Sequence, residues 1–392
     1  MKTNILLGAG FSLKAGYPSG QMLNQKFFSN VEKKILRQSS SEWMWDEYDE
    51  ATSNNGRLNS EHLNISYLLS ELVEAYQKET SQFFDYEEFY DWFLKNYDDK
   101  DLIKQCCDRV NSRLKKEFNM PDTSRHYFKQ PDINEYRTIR EAYNYLIADL
   151  LQRPYDREKT LPYYSQFIDL IKNSSETNIF TINHDTLVEF LLDRNNIKYS
   201  DGFSVDNSII AGESNQILEM FSDHYSQNTR IYKLHGSINY YLFTELKSNE
   251  GGVYSGTGNY WFFKPNTYWN KHNARKIDPQ TGAIIQALNS NILPQFLTGK
   301  SKMDVINTHS IYKHIYAHFA NSFGATDRLV IIGYSYRDKH INEIIKKAVD
   351  SYDFYIVNIN PGMPFPFRRN YSKEKVINLR SIEEFHDIVY YS

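Results

Sequence analysis

Cysteine is nearly absent from this chain. Its 392 residues hold two, Cys106 and Cys107, side by side in a helical pattern. Neighbours on a helix do not face each other, which argues against a disulfide between them. No C-x-x-C pair exists, so a four-cysteine zinc module is excluded. No apolar run approaches twenty residues, and no apolar leader precedes the first strand pattern; a cytosolic chain is the expectation. A basic excess is missing too. Lys and Arg number 45 against 49 Asp and Glu, a net charge of -4, so no overall field favours nucleic acid or an anionic membrane. There is no H-E-x-x-H. His314 and His318 stand four apart, but His309 is a poor third ligand by spacing, so they read as a helix face and no bound metal is expected.

What remains is an ordinary soluble composition, 41% hydrophobic and 24% charged, with an unusual share of aromatics: 31 Tyr, 24 Phe and 5 Trp. Tyr joins apolar area to a polar tip, so the excess suits protein–protein surface, or simply aromatic packing. The length suggests about two or three domains.

Thr3 to Leu7 is an apolar run without polar alternation, the pattern of a strand buried on both faces. Gly8-Ala9-Gly10-Phe11-Ser12 follows at once. After Ser19, the residues Met22, Leu23, Phe27, Val31 and Ile35 recur at helical spacing. Strand, glycine turn and helix is the layout of a dinucleotide site, where amide N–H groups and a helix dipole attract pyrophosphate.

A helical stretch comes next. Gln38 to Ser60 is polar and loop-like. Helical periods then run through Leu63 to Tyr76, Phe83 to Tyr97, Leu102 to Leu114, Tyr136 to Leu150 and Tyr163 to Ile171, with a loop from Pro121 to Pro131. The aromatic stripe Phe89, Trp92, Phe93 is core or interface, and Asp85, Glu87 and Glu88 are its solvated face or a bound first turn. Successive helices without a strand do not belong to a simple alternating sheet. Residues 38–160 are therefore expected to be a helical insertion domain, with 1–37 and 161–392 forming one domain. Strands are predicted at Thr177 to Ile182, Arg230 to Leu234, Leu329 to Ile332 and Phe354 to Ile359. Helices are predicted at Thr186 to Leu192, His309 to Phe323, Lys339 to Val349 and Ser381 to Tyr390. Residues 240–300 read as irregular, with a short strand at Tyr260 to Phe263. The expected class is α/β: a Rossmann-like, doubly wound parallel sheet with a large helical insertion and no zinc module.

Polar clusters then fall just past strand ends, where such a sheet exposes them. They are the glycine turn, Thr181-Ile182-Asn183-His184-Asp185, Lys233-Leu234-His235-Gly236-Ser237, Gly333-Tyr334-Ser335 and Asn360. Asn183 and Asp185 are also natural caps for the helix that follows. Asp338, His340 and Asn342 can brace a helix start, and His184 is a pocket wall. Arg368-Arg369 is too small for a nucleic-acid patch.

This ordered set resembles the sirtuin-type NAD-binding fold. The matching residues are Gly8-Ala9-Gly10-Phe11-Ser12 with Ala15-Gly16-Tyr17-Pro18, then Thr181, Asn183 and Asp185, then His235-Gly236, then Gly333 and Ser335, then Asn360. The likeness covers about 1–37 and 175–390. Where sirtuin deacylases continue with Asp-Phe-Arg, this chain has Ser19-Gly20-Gln21, and their zinc cysteines are missing. Gly333-Tyr334-Ser335-Tyr336-Arg337-Asp338-Lys339-His340-Ile341-Asn342 is similar instead to the signature of sirtuin-like effectors of bacterial antiphage defence, a group that degrades NAD.

The resemblance implies NAD as substrate and an NAD glycohydrolase, with Asn183, His235 and Asp185 catalytic. It implies that Gly8, Ala9, Gly10, Ser12, Pro18, Thr181, Gly236, Gly333, Ser335 and Asn360 bind the dinucleotide. In that scheme the Gly8–Gly10 amides and Ser12 cradle pyrophosphate, Asp185 holds the carboxamide, and Ser335 and Asn360 meet the adenosine side. Cleavage passes through an oxocarbenium-like state with a leaving group that is already cationic, so it needs a held ribose and a placed water. Protein ADP-ribosyl transfer, deacylation, and a non-catalytic NAD or ADP-ribose module are the alternatives. The elements of the fold run to the C-terminus, so control is expected from self-assembly or another chain. The expectation is a homo-oligomer built through 38–160, and the resemblance points to a HerA-type hexameric ring ATPase as partner. NAD and NADP are not distinguished.

Overall fold

The computed structural model describes residues 1–30, 35–38, 42–45, 63–80, 84–96, 99–119, 121, 127–128, 133–152, 157–211, 216–248, 254–264, 274–278, 280–297, 302–367 and 375–387. Val31, Tyr97, Arg368-Arg369 and most of the 38–60 and 121–131 stretches lie outside them. In chain order the elements are β1 (Lys2–Leu7), α1 (Ala9–Ser12), α2 (Gly20–Asn30), β2 (Ile35–Gln38), β3 (Glu42–Trp45), α3 (Leu63–Thr80), α4 (Tyr86–Lys95), α5 (Lys100–Phe118) and α6 (Ile133–Gln152). Then come α7 (Arg157–Thr160), α8 (Ser165–Lys172), β4 (Glu176–Thr181), α9 (Leu187–Arg194), β5 (Tyr199–Ser200), β6 (Gly202–Ala211), β7 (Gln216–His224), β8 (Thr229–Lys233), β9 (Gly236–Ser248), β10 (Tyr254–Lys264), β11 (Ala274–Ile277) and β12 (Ile284–Phe296). The chain closes with α10 (Lys302–Thr308), α11 (Ser310–Ser322), β13 (Arg328–Ile332), α12 (Lys339–Ser351), β14 (Tyr355–Ile359) and β15 (Val376–Leu379).

Two compact units result. One holds Met1–Ser19, Pro154–Asn291 and Asp304–Ser392; the other holds Gly20–Arg153 and Ile292–Met303. The division falls at Ser19 rather than residue 37, because α2 packs with helices. Asn24 Oδ1 accepts from the Tyr86 N–H at 2.7 Å, its Nδ2 donates to Asp85, and the Phe27 ring lies 5.3 Å from that of Tyr143 on α6.

The first unit carries a seven-stranded parallel sheet in the order β15-β14-β13-β1-β4-β8-β5. Successive strands step outward from β1 through β4 and β8 on one side, and from β13 through β14 and β15 on the other. The topological switch point lies between β1 and β13, whose register runs Thr3↔Arg328 to Leu7↔Ile332. Period-two alternation divides the side chains. Ile5, Leu7, Ile179, Ile231, Val330 and Ile332 join the buried core with Phe167 and Ile171 of α8 and Leu187 and Leu191 of α9. On the other face Phe180 stacks on Tyr232 at 4.7 Å and meets Phe319 of α11.

The same unit holds what the sequence reading missed. The described residues of 240–300 are mostly strand rather than irregular, and β10-β7-β6-β11-β12-β9 close into a barrel. Leu218, Tyr241, Phe243 and Phe263 form its core. Beside them Lys264 Nζ lies 2.5 Å from Asp201 Oδ2 and 2.6 Å from Glu219 Oε2, and these two carboxylates outweigh burial to push the lysine pKa up. At the other end of the chain, the described part of the predicted Ser381 to Tyr390 helix is not α-helical, and 388–390 lie outside the described residues. Ile382–Asp387 is 3-10, preceded by the unforeseen strand β15.

The second unit contains α2 to α6 and the antiparallel pair β2–β3, so Ile35 is in a strand and not in the first helix. Asp85 and Asp99 cap α4 and α5, each accepting two backbone N–H bonds. Phe89 packs against Tyr76, Trp92, Phe93 and Tyr143, so the aromatic stripe is core. Tyr17, Tyr76, Tyr143, Tyr145, Tyr164 and Tyr240 are fully buried. Much of the tyrosine excess is therefore packing rather than interface. Cys106 and Cys107 are buried and not joined in a disulfide.

Candidate active site

All five polar clusters lie at the carboxyl edge of the sheet, because β1, β4, β8, β13 and β14 are parallel. At the switch point the two glycine turns press backbone to backbone. A Cβ on Gly8 would come 2.5 Å from Gly333 O, and one on Gly10 would come 2.6 Å from Gly333 Cα. Gly333 has φ +64, and a Cβ there would meet Phe11 N at 2.4 Å. The Gly8 N–H donates to Ile332 O and the Gly10 N–H to Gly333 O, both at 3.0 Å. These amides are thus committed to joining β1 and β13. The two amides expected to cradle pyrophosphate are donated within the protein, and Gly8, Gly10 and Gly333 let the two turns touch. Ala9 and Ser335 are exposed at this edge, whereas Pro18 is buried just after a 3-10 turn at Leu13–Ala15.

Beneath the turns runs a buried network. Asn183 Nδ2 donates to Gly8 O and to Ser12 Oγ, each at 3.0 Å. Ser12 Oγ donates to Asp185 Oδ2 at 2.9 Å, and Asp185 Oδ1 accepts from the Leu187 N–H at 2.9 Å. Gly8 O can only accept, which fixes the Asn183 amide orientation. With both amide protons engaged, Asn183 can act on a ligand only through Oδ1, as an acceptor. Asp185, expected to hold the carboxamide, accepts from Ser12 Oγ and from the Leu187 N–H at the start of α9. Thr181 Oγ1 accepts from the Asn183 N–H at 3.0 Å and sets that residue's turn.

A second clamp holds the loop after β4. Lys233, 1% exposed, donates to Asp185 O and lies 3.0 Å from Glu189 Oε1. Ser237 Oγ and the Ile238 N–H both reach His184 O. Only Leu234 and His235 separate β8 from β9, and Gly236 turns the chain with φ +76. His235 is therefore set at the junction of sheet and barrel. It is 3% exposed, with its ring centroid 6.3 Å from that of His184 and 5.8 Å from that of His340. Its Nε2 lies 3.8 Å from Asp338 Oδ1. Asn342 braces the loop before α12, donating to Tyr336 O and accepting from Tyr334 Oη. Asn360 donates to Asn358 Oδ1 at 2.7 Å, behind the Gly333 turn.

His314 and His318 both reach the carboxylate of Asp223, at 2.7 and 2.9 Å. A cavity of about 190 Å³ opens at the opposite, amino end of the sheet, lined by Lys2, Asn4, Glu176, Asn178 and Arg230 among others. No helix among the described residues is long and apolar enough to cross a membrane.

Sheet order and crossover define a Rossmann-like α/β protein. No family model matches the sequence, and no curated protein does. Among solved structures, the chain is similar over 99% of its length to 91% of a sirtuin from work on substrate affinity, at 11% identity and TM-score 0.29. It is similar to the same extent to a Sir2 protein with a p53 peptide and NAD+, at 11% identity and TM-score 0.30. Likeness this distant leaves the class resting on the chain's own sheet and turns.

Proposed function

We propose that this chain is an NAD glycohydrolase, converting NAD and water into ADP-ribose, nicotinamide and a proton. The observation that supports it best is the network of Ser12, Asn183 and Asp185 beside buried His235, at the carboxyl edge next to the switch point, where open α/β sheets bind their ligands. In this reading the bond between ribose C1′ and the pyridinium nitrogen breaks, and its electron pair leaves with neutral nicotinamide. Asn183 Oδ1 accepts a hydrogen bond from the attacking water or a ribose hydroxyl. His235 takes the proton released as water adds to C1′, a role suited to imidazole near neutral pH. Asp185 and Thr181 position Asn183. Ser335 and Asn360 lie on the β13–β14 side, where the adenosine half would rest.

We extend the proposal to the setting that the 333–342 motif suggests, an antiphage effector acting as a homo-oligomer with a HerA-type ring ATPase. Light scattering on the purified chain tests the oligomer, and a strict monomer at micromolar concentration contradicts it.

The direct test is chromatography of products from NAD incubated with wild type, Asn183→Ala and His235→Ala. Each substitution is expected to lower turnover about 10²–10⁴-fold. Asn183→Ala also removes two buried hydrogen bonds, although Gly8 O keeps the Phe11 N–H and Ser12 Oγ keeps Asp185, and should cost about 1–3 kcal/mol of stability, so folding is followed in parallel. Equal turnover by all three chains refutes the site, and an acylated peptide consumed in preference to water refutes the reaction.

A further inference from the structure

We propose that His235, Asp338 and His340 form a binding site for a divalent transition ion, with zinc the fitting case. One potential ligand atom from each residue lies within 4.8 Å of the other two, and among the described residues no other set of three does so. Two nitrogens and one carboxylate oxygen suit zinc, and three protein ligands leave a position open. The donors come from separate parts of the fold, the β8–β9 turn and the start of α12, so local chain geometry alone does not bring them together.

Two further observations favour a ligand site over a helix brace. Asp338 occupies the N-cap position of the thirteen-residue α12, yet its side chain makes no capping bond. Asp85 and Asp99, at the same position of α4 and α5, each accept two backbone N–H bonds. The Asp338 carboxylate stands instead 3.8 Å from His235 Nε2. Tetrahedral ligands about 2.0–2.1 Å from zinc stand about 3.3–3.4 Å apart, so these two atoms close by about 0.5 Å to hold an ion between them. Second, Tyr316 Oη lies 2.8 Å from His340 Nε2. The phenol oxygen can accept the Nε2 proton, which leaves Nδ1 as the nitrogen open to an ion. Such an outer partner is what orients a ligating imidazole. Bringing the third atom into the coordination sphere takes a side-chain rotation of the order of 1 Å.

An ion at this site removes the His235 lone pair that would otherwise take a proton. Zinc is therefore expected to inhibit, and this half of the inference rests on the NAD-cleavage reading; the binding half does not. The test is calorimetric titration of zinc chloride into the metal-free full chain, with thermal unfolding alongside. Wild type should take up one equivalent with a rise in melting temperature. Asp338→Asn, which keeps the side-chain shape, and His340→Ala should each bind at least about tenfold more weakly, and Tyr316→Phe about tenfold more weakly. A His314→Ala/His318→Ala double variant should bind as wild type does. No uptake by wild type, unchanged affinity in Asp338→Asn and His340→Ala, or loss only in the double variant overturns the site. Turnover of NAD is read separately. Zinc binding with undiminished turnover overturns the inhibition. Zinc binding by a chain that cleaves no NAD leaves the site standing and refutes the glycohydrolase.

Discussion

Replacing Gly333 with alanine should destabilise this protein more than replacing Gly282 or Gly20, and the reason can be separated into parts. Gly333 has φ +64, and a methyl group there would come 2.4 Å from Phe11 N and 2.5 Å from Gly10 Cα, all backbone. The left-handed conformation costs a residue with a Cβ about 1–2 kcal/mol. Overpacking against atoms that cannot rotate away adds about 1–3 kcal/mol. Gly333→Ala should therefore cost about 2–5 kcal/mol. Two controls divide that sum. Gly282 also has a positive φ, +68, but a Cβ there meets nothing within 4 Å, so alanine carries only the conformational cost of about 1–2 kcal/mol. Gly20 starts α2 with open space around its Cβ position, and alanine there should be neutral or stabilising by up to about 1 kcal/mol. Urea unfolding, followed by the midpoint at constant m, measures all three. A Gly333→Ala protein as stable as Gly282→Ala would show that the turns are not pressed together, and would reopen the reading of Gly8 and Gly10 as a ligand cradle.

Lys264→Met should destabilise the barrel by about 3–5 kcal/mol, since it removes the ammonium that Asp201 and Glu219 hold at 2.5 and 2.6 Å and leaves both carboxylates unpaired with it; a melting temperature within a degree of wild type refutes the pairing. Burial pushes the Cys106 thiol up to about 11 from 9.0. Its contribution to stability is thus complete below about pH 9 and lost as pH rises from there through about 11, up to about 3 kcal/mol for a shift of this size. Unfolding midpoints across pH 8–11.5, compared with Cys106→Ala, measure that slope, and parallel curves contradict it. For the same reason a thiol reagent at pH 7 should label Cys106 only after denaturation, and rapid labelling of the folded chain contradicts the burial.

The sheet was legible because its strands are short apolar runs ending in small or polar residues, as in Thr3 to Leu7 before Gly8 and Leu329 to Ile332 before Gly333. Buried parallel strands leave few other readings for such runs. The barrel was not legible. Its strands carry Ser, Asn and Gly among aromatics, and register shifts at Gly202/Phe203, Val205/Ile210, Gly256/Tyr260 and Lys276/Ile277 break the period-two alternation on which strand recognition depends. Neighbours Tyr240 and Tyr241 are both buried, so even an unshifted stretch of β9 does not alternate. The boundary at Ser19 was hidden for a different reason. The α2 pattern says only that one face is buried, and not that Asn24 would meet the cap of α4. In the site, residue identities were legible and their bonds were not. Thr181, Asn183 and Asp185 could be read as a strand-end cluster, but nothing in a one-dimensional pattern shows that Asn183 donates both its amide protons inward.

The bonds at the switch point also decide which substitutions are informative about chemistry. In a strand–glycine–helix motif the usual inference from a dead Gly8 or Gly10 variant is loss of phosphate contacts. Here a Cβ at either position meets Gly333 backbone at 2.5 or 2.6 Å, and both amides are donated to the β13 side. Such a variant would push β13 and its turn away from β1. The Asn183 anchor on Gly8 O and the loop leading to Asp338 would move with it. Loss of activity would follow whether or not the glycines ever met a ligand. The variants that report on the reaction are those whose atoms remain available to a substrate, Asn183 through Oδ1 and His235 through its ring. With the Gly8 and Gly10 amides engaged, recognition of an anion at this edge falls to groups outside those two N–H bonds. Ser335, exposed beyond β13, is the first of them to substitute: if the chain cleaves NAD as proposed, Ser335→Ala should raise the KM for NAD with little change in kcat, and an unchanged KM contradicts the proposed adenosine side.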